Sequence, residues 1–364
     1  MEAKRRVALV EPYLGGSHRA WAEGYATRSM HDVEVFGLPA IHWKWRMQGG
    51  HVTLATDLAE SAQRRPFDAL LTTSMCNVPA LLGLCRRSLG DVPVTLYMHE
   101  NQLTFPLSEH DRVDLTYPMI NWTSMVAADR VVFNSAYHRD EWLAALPGLL
   151  ARFPDERHGR FVDAVRAKSS VVPVGGDLAA IEAVPLMRRV RPLVLWNQRW
   201  EYDKGPDEFA RAVTALADDG VPFDVALAGE RFVDEPPAFV ELRRRLGDRV
   251  VHAGWAETDE YQRLLRSADV VVSTAHHEFY GIAVVEAIGA GAFPILPNRL
   301  VYPERIPPEW HTRCLYDDDA GLLERLRWAL ANRDEATGVA SAMRPALDGH
   351  DWSTVAPELD ALVV

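Results

Sequence analysis

Short apolar runs alternate with amphipathic stretches along almost the whole chain, which is the pattern of βα units that build parallel sheets. In the first half, residues 6–11, 33–38, 69–73, 94–98, 130–134 and 169–174 read as strands. Between them, 53–63, 79–87, 116–128 and 137–149 carry apolar residues at helical spacing. The pattern breaks at Gly175-Gly176-Asp177 and restarts with strands expected at 192–196, 223–228, 249–253, 270–273, 294–296 and 313–316. Helical spacing returns at 206–217, 237–246, 258–267, 282–290 and 320–331. The reading is an α/β fold of two Rossmann-like domains facing a cleft. It places an N-terminal domain at 1–176, an interdomain connection at 177–191, a second domain at 192–345, and a closing helix within 346–364 that crosses back to the first domain.

Composition narrows the class. A length of 364 residues suits two domains, and 48% hydrophobic with 25% charged residues excludes a disordered or fibrous chain. The balance of 39 basic to 51 acidic residues leaves a net charge of −12, which argues against a surface wholly devoted to nucleic acid but leaves room for a local basic patch. No apolar run has the length of a membrane span, and the residues before Val7 lack the apolar core of a signal peptide. Cys76, Cys85 and Cys314 are odd in number and show no CxxC spacing, so neither a disulfide framework nor a zinc site is indicated. A cytoplasmic protein is expected. Lysine is scarce (Lys4, Lys44, Lys168 and Lys204), so a lysine inside a motif carries some information.

Three segments have chemical use. Glu11-Pro12-Tyr13-Leu14-Gly15-Gly16-Ser17-His18 leaves the first strand and enters a helix. Its glycines let backbone N–H groups approach an anion, or simply make a tight turn; the spacing is not GxGxxG, so no NAD site is indicated. Asn197-Gln198-Arg199-Trp200-Glu201-Tyr202-Asp203-Lys204-Gly205 follows another strand. Arg199 and Lys204 there occupy the strand end where open α/β sheets bind ligands. A planar fork and a point charge can neutralise a diphosphate and stabilise its departure, the alternative being a solvated charged loop. In His276-His277-Glu278-Phe279-Tyr280-Gly281-Ile282-Ala283, continuing to Glu286, one carboxylate precedes a helix and the other lies inside it. Backbone N–H groups at that terminus suit phosphate or sugar oxygens, and carboxylates accept from sugar hydroxyls.

Arg199 and Lys204 with Glu278-x7-Glu286, on two Rossmann-like halves, look like a retaining GT-B glycosyltransferase, the broad family of sucrose synthase and the phosphatidylinositol mannosyltransferases. More narrowly, the chain resembles the tRNA-queuosine mannosyltransferase family. The resemblance is carried by the 11–18 segment, Leu38-Pro39 with Trp43-Lys44-Trp45-Arg46, His99-Glu100-Asn101-Gln102-Leu103 and Phe133-Asn134-Ser135. Asn197-Gln198-Arg199-Trp200-Glu201, Glu278-Phe279-Tyr280-Gly281 and Val301-Tyr302-Pro303-Glu304 complete it.

The resemblance implies transfer of mannose from GDP-mannose to the cyclopentenediol of queuosine in the anticodon of tRNA-Asp, with retained anomeric configuration. It implies that Arg199 and Lys204 hold the diphosphate, Glu278 the mannose hydroxyls and Glu286 the ribose. Phe279, Tyr280, Gly281, Ile282 and Ala283 would bind phosphate and sugar, Gly15 and Gly16 would close the other side, and His99 would sit by the reacting centre. In such enzymes the leaving phosphate takes the acceptor's proton, so no protein base, metal or other cofactor is expected. Asp317-Asp318-Asp319 reads as a helix cap. Guanine selection is expected near Gly229-Glu230-Arg231 and residues 254–260.

For the acceptor, His42-Trp43-Lys44-Trp45-Arg46 interleaves cations with indoles, which suits an unstacked base and its phosphates; the alternative is a core tryptophan beside solvated cations. His18 is placed on the acceptor side, and Asn101 and Gln102 offer donors and acceptors to a diol. Arg64-Arg65, Arg86-Arg87, Arg188-Arg189-Val190-Arg191 and Arg243-Arg244-Arg245 are further basic groups, each more simply a solvated helix face. The expected partners are GDP-mannose and queuosine-modified tRNA-Asp, with no membrane and no obligate protein partner. Two other readings stay open: a GT-B enzyme using another nucleotide sugar on a small-molecule or lipid acceptor, and a catalytically silent tRNA-binding protein.

Overall fold

The computed structural model describes residues 4–106, 114–231 and 235–363. The chain divides into two compact units, one of residues 1–175 with 352–364, the other of residues 176–351.

The first unit is built on β1 (Arg6–Leu14), β2 (Asp32–Pro39), β3 (Ala69–Thr73), β4 (Val94–Met98), β5 (Arg130–Phe133) and β6 (Ser169–Val171). They pair in parallel in the order β2-β1-β3-β4-β5-β6. β3 and β4 are buried along their whole length, their largely apolar runs broken only by Thr72, Thr73 and Thr95, as covering helices on both faces require. The second unit repeats the plan with β7 (Leu193–Trp196), β8 (Asp224–Ala228), β9 (Val250–Gly254), β10 (Val270–Val272), β11 (Phe293–Pro297) and β12 (Leu315–Tyr316). These strands are also parallel, in the order β12-β11-β10-β7-β8-β9.

One device recurs in both sheets. An aspartate just before a strand accepts the N–H that opens its neighbour: Asp68 from Arg6 at 2.7 Å, Asp129 from Val94 at 2.8 Å, and Asp269 from Leu193 at 2.8 Å. Strand-edge donors that the ladders leave open are thereby satisfied. Asp318 caps the helix Asp319–Ala331 by accepting from Gly321 at 2.8 Å, as its acidic run suggests.

The boundaries differ from expectation at two places. Residues 177–191, read as a connection, lie in the second unit: Leu178–Ala183 is helical, Ile181 is in that unit's core, and Arg189 and Arg191 both pair with Asp224. The 346–364 segment is split. Residues Arg344–His350 form a 3-10 turn in the second unit, and only the helix Trp352–Val363 joins the first.

That helix is fastened to the first unit by polar groups as well as apolar ones. Asp360, 5% exposed, accepts from the Tyr25 hydroxyl at 2.8 Å, the Met30 backbone at 2.9 Å and Ser29. The Leu362 carbonyl receives Thr95 and Arg130, both at 2.9 Å. Asp360→Ala strands three donors in an apolar joint and is expected to cost about 3 kcal/mol in denaturant unfolding. An unchanged midpoint would mean that the helix contributes nothing to the unit.

Candidate functional site

The second unit's strand order places its chemistry. The chain runs β7, β8, β9 to one side and then crosses to β10, β11, β12 on the other, so the sheet reverses between β7 and β10, where open α/β sheets take ligands. The loop after β7 carries Arg199 and Lys204; the loop after β10 carries Glu278 and leads into the helix Ile282–Ala290. Residues some 75 positions apart thus meet because their strands are neighbours.

Lys204 is buried, with Nζ 2.8 Å from the His277 carbonyl, 3.3 Å from Glu278 Oε2 and 3.3 Å from Asp203 Oδ2. Its own loop is tied down by Thr274, whose hydroxyl donates to the Lys204 and Gly205 carbonyls at 2.8 and 2.7 Å. Glu278 Oε1 accepts the N–H groups of Phe279 and Tyr280 at 3.1 and 3.2 Å. Burial pushes the Glu278 carboxyl up, but the Lys204 charge and those hydrogen bonds outweigh it and hold the group down at about 2. Burial and the neighbouring Lys204 charge lower His277 to about 4, so its imidazole is neutral at physiological pH. Arg199 is half-exposed and 3.0 Å from Glu201. The result is a fixed carboxylate and a buried ammonium, with a half-exposed guanidinium on the same loop as the ammonium, a set able to grip sugar hydroxyls and a diphosphate.

Gly281, at φ +79°, turns the chain into the helix, a conformation that strains any residue with a side chain. The preceding Tyr280 is held from two sides: its hydroxyl lies 2.7 Å from His350 Nδ1, and its carbonyl accepts Arg305 Nε at 2.9 Å. Tyr302 supports the same turn, hydrogen-bonded to Ser273 at 2.6 Å and packed beside Gly281. Glu286 lies in the second turn of the helix and accepts the Tyr261 hydroxyl at 2.9 Å. Gly229 lies at the end of β8, its backbone against the Gln198 carbonyl; its N–H donates to Gly254 at 2.9 Å. Trp255, 62% exposed, donates its indole N–H to Glu257 at 3.0 Å in the 254–260 segment.

In the first unit, Glu11, at the carboxyl end of β1, is fully buried and accepts the Tyr13 N–H at 2.8 Å and His18 Nδ1 at 2.9 Å. The His18 ring lies 4.5 Å from that of His99, which is walled in by Trp21 at 4.6 Å and Tyr97 at 4.8 Å. His99 Nε2 is buried without a hydrogen-bond partner among the described residues. Burial, then the charges of His18 and His138, drive the His99 imidazole well below its ordinary range, so it is neutral. Glu11, His18 and His99 offer ligand atoms within 4.8 Å of one another, a set that is able to take a divalent ion if the Glu11–His18 bond is given up. Asn134 donates to the His99 carbonyl at 2.8 Å, and Ser135 caps the helix Ala136–Leu150, which explains the Phe133-Asn134-Ser135 motif. Gly16, at φ +51°, opens the helix Gly16–Arg28 with no atom within 4 Å of a side-chain position; Gly15 is closed against Ala40.

The acceptor candidates divide. Trp43 packs on Tyr117 at 5.0 Å with Lys44 5.5 Å over its ring, whereas Trp45 stands 62% exposed beside Lys44 and Arg46. His42 enters this turn at φ +53°, and Arg46–Gly50 continue as a π-helical turn, an irregularity common at functional positions. Asn101 departs from expectation. Its side chain is fully buried and its Oδ1 is taken by the N–H groups of Leu103 and Thr104, both at 2.9 Å, so it shapes a turn and does not offer an acceptor outward. Gln102 Nε2 is bound to Glu100 at 3.0 Å. The arginine triplets are compensated locally: Arg188 by Asp334, Arg243 by Glu235, Arg244 by Glu241 and Arg245 by Asp218.

Glu11 and Asn197 lie in motifs that the sequence singles out, yet neither residue is given a role there; Tyr261 carries no local signal at all.

Two six-stranded parallel units, each with a side-chain cluster at the carboxyl end of its strands, have the α/β fold of GT-B glycosyltransferases. The fold matches a sucrose-phosphate synthase from Thermosynechococcus elongatus (TM-score 0.71, 18% identity, 99% of this chain and 98% of that one) and a glycosyltransferase from Rickettsia africae (0.72, 12%, 100% and 98%). A family profile described as tRNA-queuosine alpha-mannosyltransferase N-terminal matches residues 6–175, and one for glycosyl transferases group 1 matches 182–344. The tRNA-queuosine alpha-mannosyltransferase of Drosophila melanogaster is 32% identical over 335 residues, 89% of this chain and 86% of the fly protein. The chain belongs to the tRNA-queuosine alpha-mannosyltransferase family. Among the described residues no helix is long and apolar enough to cross a membrane.

Proposed function

We propose that this protein transfers mannose from GDP-mannose to the cyclopentenediol of queuosine in the anticodon of tRNA-Asp, in the cytoplasm and without a metal. The observation that carries the reading is the likeness to the fly enzyme along nearly the whole chain, joined to the Lys204–Glu278 pair at the switch point of the second sheet. In this reading Lys204 and Arg199 neutralise the diphosphate while Glu278 accepts hydrogen bonds from mannose hydroxyls. The bond from the anomeric carbon to GDP breaks, the acceptor oxygen bonds to that carbon on the same face, and the acceptor's proton passes to the departing phosphate. Electrostatic stabilisation of that phosphate supplies the main catalytic effect. Glu286 receives the ribose hydroxyls, and Trp255 with Glu257 lies where guanine selection is expected.

The exposed Trp45, with Lys44 and Arg46, is the surface offered to the anticodon; stacking on one aromatic is worth about 1–3 kcal/mol per base. Trp45→Ala is expected to raise KM for queuosine-bearing tRNA by roughly tenfold or more while KM for GDP-mannose holds. An unchanged KM for tRNA would place the acceptor elsewhere.

A further inference from the structure

We propose that Tyr261, itself aligned by Asn197, is a positioning residue that holds the Glu286 carboxylate ready for the donor's vicinal hydroxyls. The inference rests on the reading that Glu286 meets the ribose.

The geometry has a direction. Asn197, at the end of β7, uses Nδ2 twice, donating to the Ala283 carbonyl at 2.7 Å and to the Tyr261 hydroxyl at 3.0 Å. A carbonyl only accepts, so the first contact settles which way the amide faces. Both amide protons are then committed, and the Tyr261 oxygen receives one of them. The single phenolic proton must therefore point onward, to Glu286 Oε2 at 2.9 Å. A chain that donates at every step favours a charged carboxylate at its end. Among the described residues the hydrogen bond to Glu286 is made at Oε2, which leaves Oε1 for a ligand. Asn197 is 5% exposed and its Oδ1 has no hydrogen-bond partner among the described residues, a cost the fold carries to keep the amide in this orientation.

The surroundings make the phenol matter. Burial raises the Glu286 carboxyl, the Tyr261 hydrogen bond pulls it down, and Asp177 pushes it up, leaving it at about 7. Tyr261 faces it from the helix Thr258–Ser267 and Asp177 from the turn before the helix Leu178–Ala183. The helix Thr258–Ser267 also carries Asp259, Glu260, Arg263 and Arg266; Glu260 lies 3.3 Å from His252 and Arg266 is turned to the Val184 and Ala290 carbonyls. Glu182 on the helix Leu178–Ala183 is paired with Arg344, and His350 on the adjoining turn is bonded to Tyr280. At about 7 the carboxyl is only partly ionised at neutral pH; without the phenol it rises further, the ionised fraction shrinks, and it accepts ribose hydroxyls poorly.

The test is calorimetric binding of GDP and of its dideoxy analogue, which lacks both ribose hydroxyls, across neutral pH. The analogue cancels titration of the diphosphate. The wild type is expected to prefer GDP, with the preference falling as the pH drops through about 7. Tyr261→Phe keeps the ring packing but is expected to lose about tenfold of that preference at neutral pH and to regain it at higher pH. Asn197→Ala should show a smaller loss in the same direction, and Glu286→Gln a small preference independent of pH. A Tyr261→Phe curve superimposed on the wild type, with Glu286→Gln flat, would overturn the relay. Full preference and full pH response in Glu286→Gln would instead overturn the ribose contact on which the relay rests.

Discussion

Lys204→Ala is expected to lower kcat/KM for mannose transfer by on the order of 10²–10³ while the protein still folds. The lysine is buried, so its charge acts through little water, and it lies 3.3 Å from the carboxylate assigned to the sugar. Removing it takes away the leaving-group charge and also the counter-ion that keeps Glu278 at about 2. The sign for stability follows from that depressed value. In the wild type the Glu278 contribution is present above the ordinary carboxylate value of 4.5 and is lost as the pH falls through about 2. In the variant this contribution shrinks at neutral pH, so a modest fall in melting temperature accompanies the kinetic loss. Lys204→Arg should not rescue, because a planar fork does not fit a site framed by the His277 carbonyl and two carboxylates. Single-turnover rates beside thermal melts separate the two effects; near-normal turnover would remove Lys204 from the mechanism.

Gly229→Ala is the second large effect. A methyl group there would lie 1.8 Å from the Gln198 carbonyl oxygen and 3.0 Å from Trp200. The first clash is the new methyl against backbone, so relief requires the ends of β7 and β8 to part, and the residue after Gln198 is Arg199. The expected cost is about 3 kcal/mol, the upper end for overpacking, with GDP binding weakened about tenfold or more. Gly83→Ala is the control. It sits in the helix Val78–Cys85 with nothing within 4 Å of the new methyl, and should stabilise by about 0.5–1 kcal/mol. Equal melting temperatures for the two variants would refute the close-packing account of Gly229.

These cases mark how far the sequence could be read. The strands are legible because β7 and β10 are apolar on both faces, β3 and β4 nearly so, and helical patterns separate them. The helices Gly159–Ala167 and Arg333–Met343 were not distinguished, since short amphipathic stretches among arginines and acids resemble solvated loops. Leu178–Ala183 was read as a linker because nothing local shows that Ile181 enters a core. In the site, Arg199, Lys204, Glu278 and Glu286 stood out by residue type and spacing. What could not be read was strand order. Asn197, Tyr261 and Glu286 meet only because β7 lies beside β10, and no local pattern encodes that adjacency. Sorting Trp43 inward and Trp45 outward likewise depends on Tyr117, more than 70 residues away. Asn101 shows a different ambiguity: asparagine serves turns as readily as ligands, and here the turn claims its carbonyl.

The central claim is the reaction itself, and one transfer assay on the purified protein tests it most directly. Aspartate tRNA with and without queuosine is incubated with GDP-mannose, GDP-glucose, UDP-galactose or UDP-glucose, and the nucleosides are read by mass spectrometry. The account predicts a hexose added from GDP-mannose alone, and to the queuosine-bearing tRNA alone. Transfer from another donor, or hydrolysis of a sugar nucleotide with no tRNA product, would contradict it.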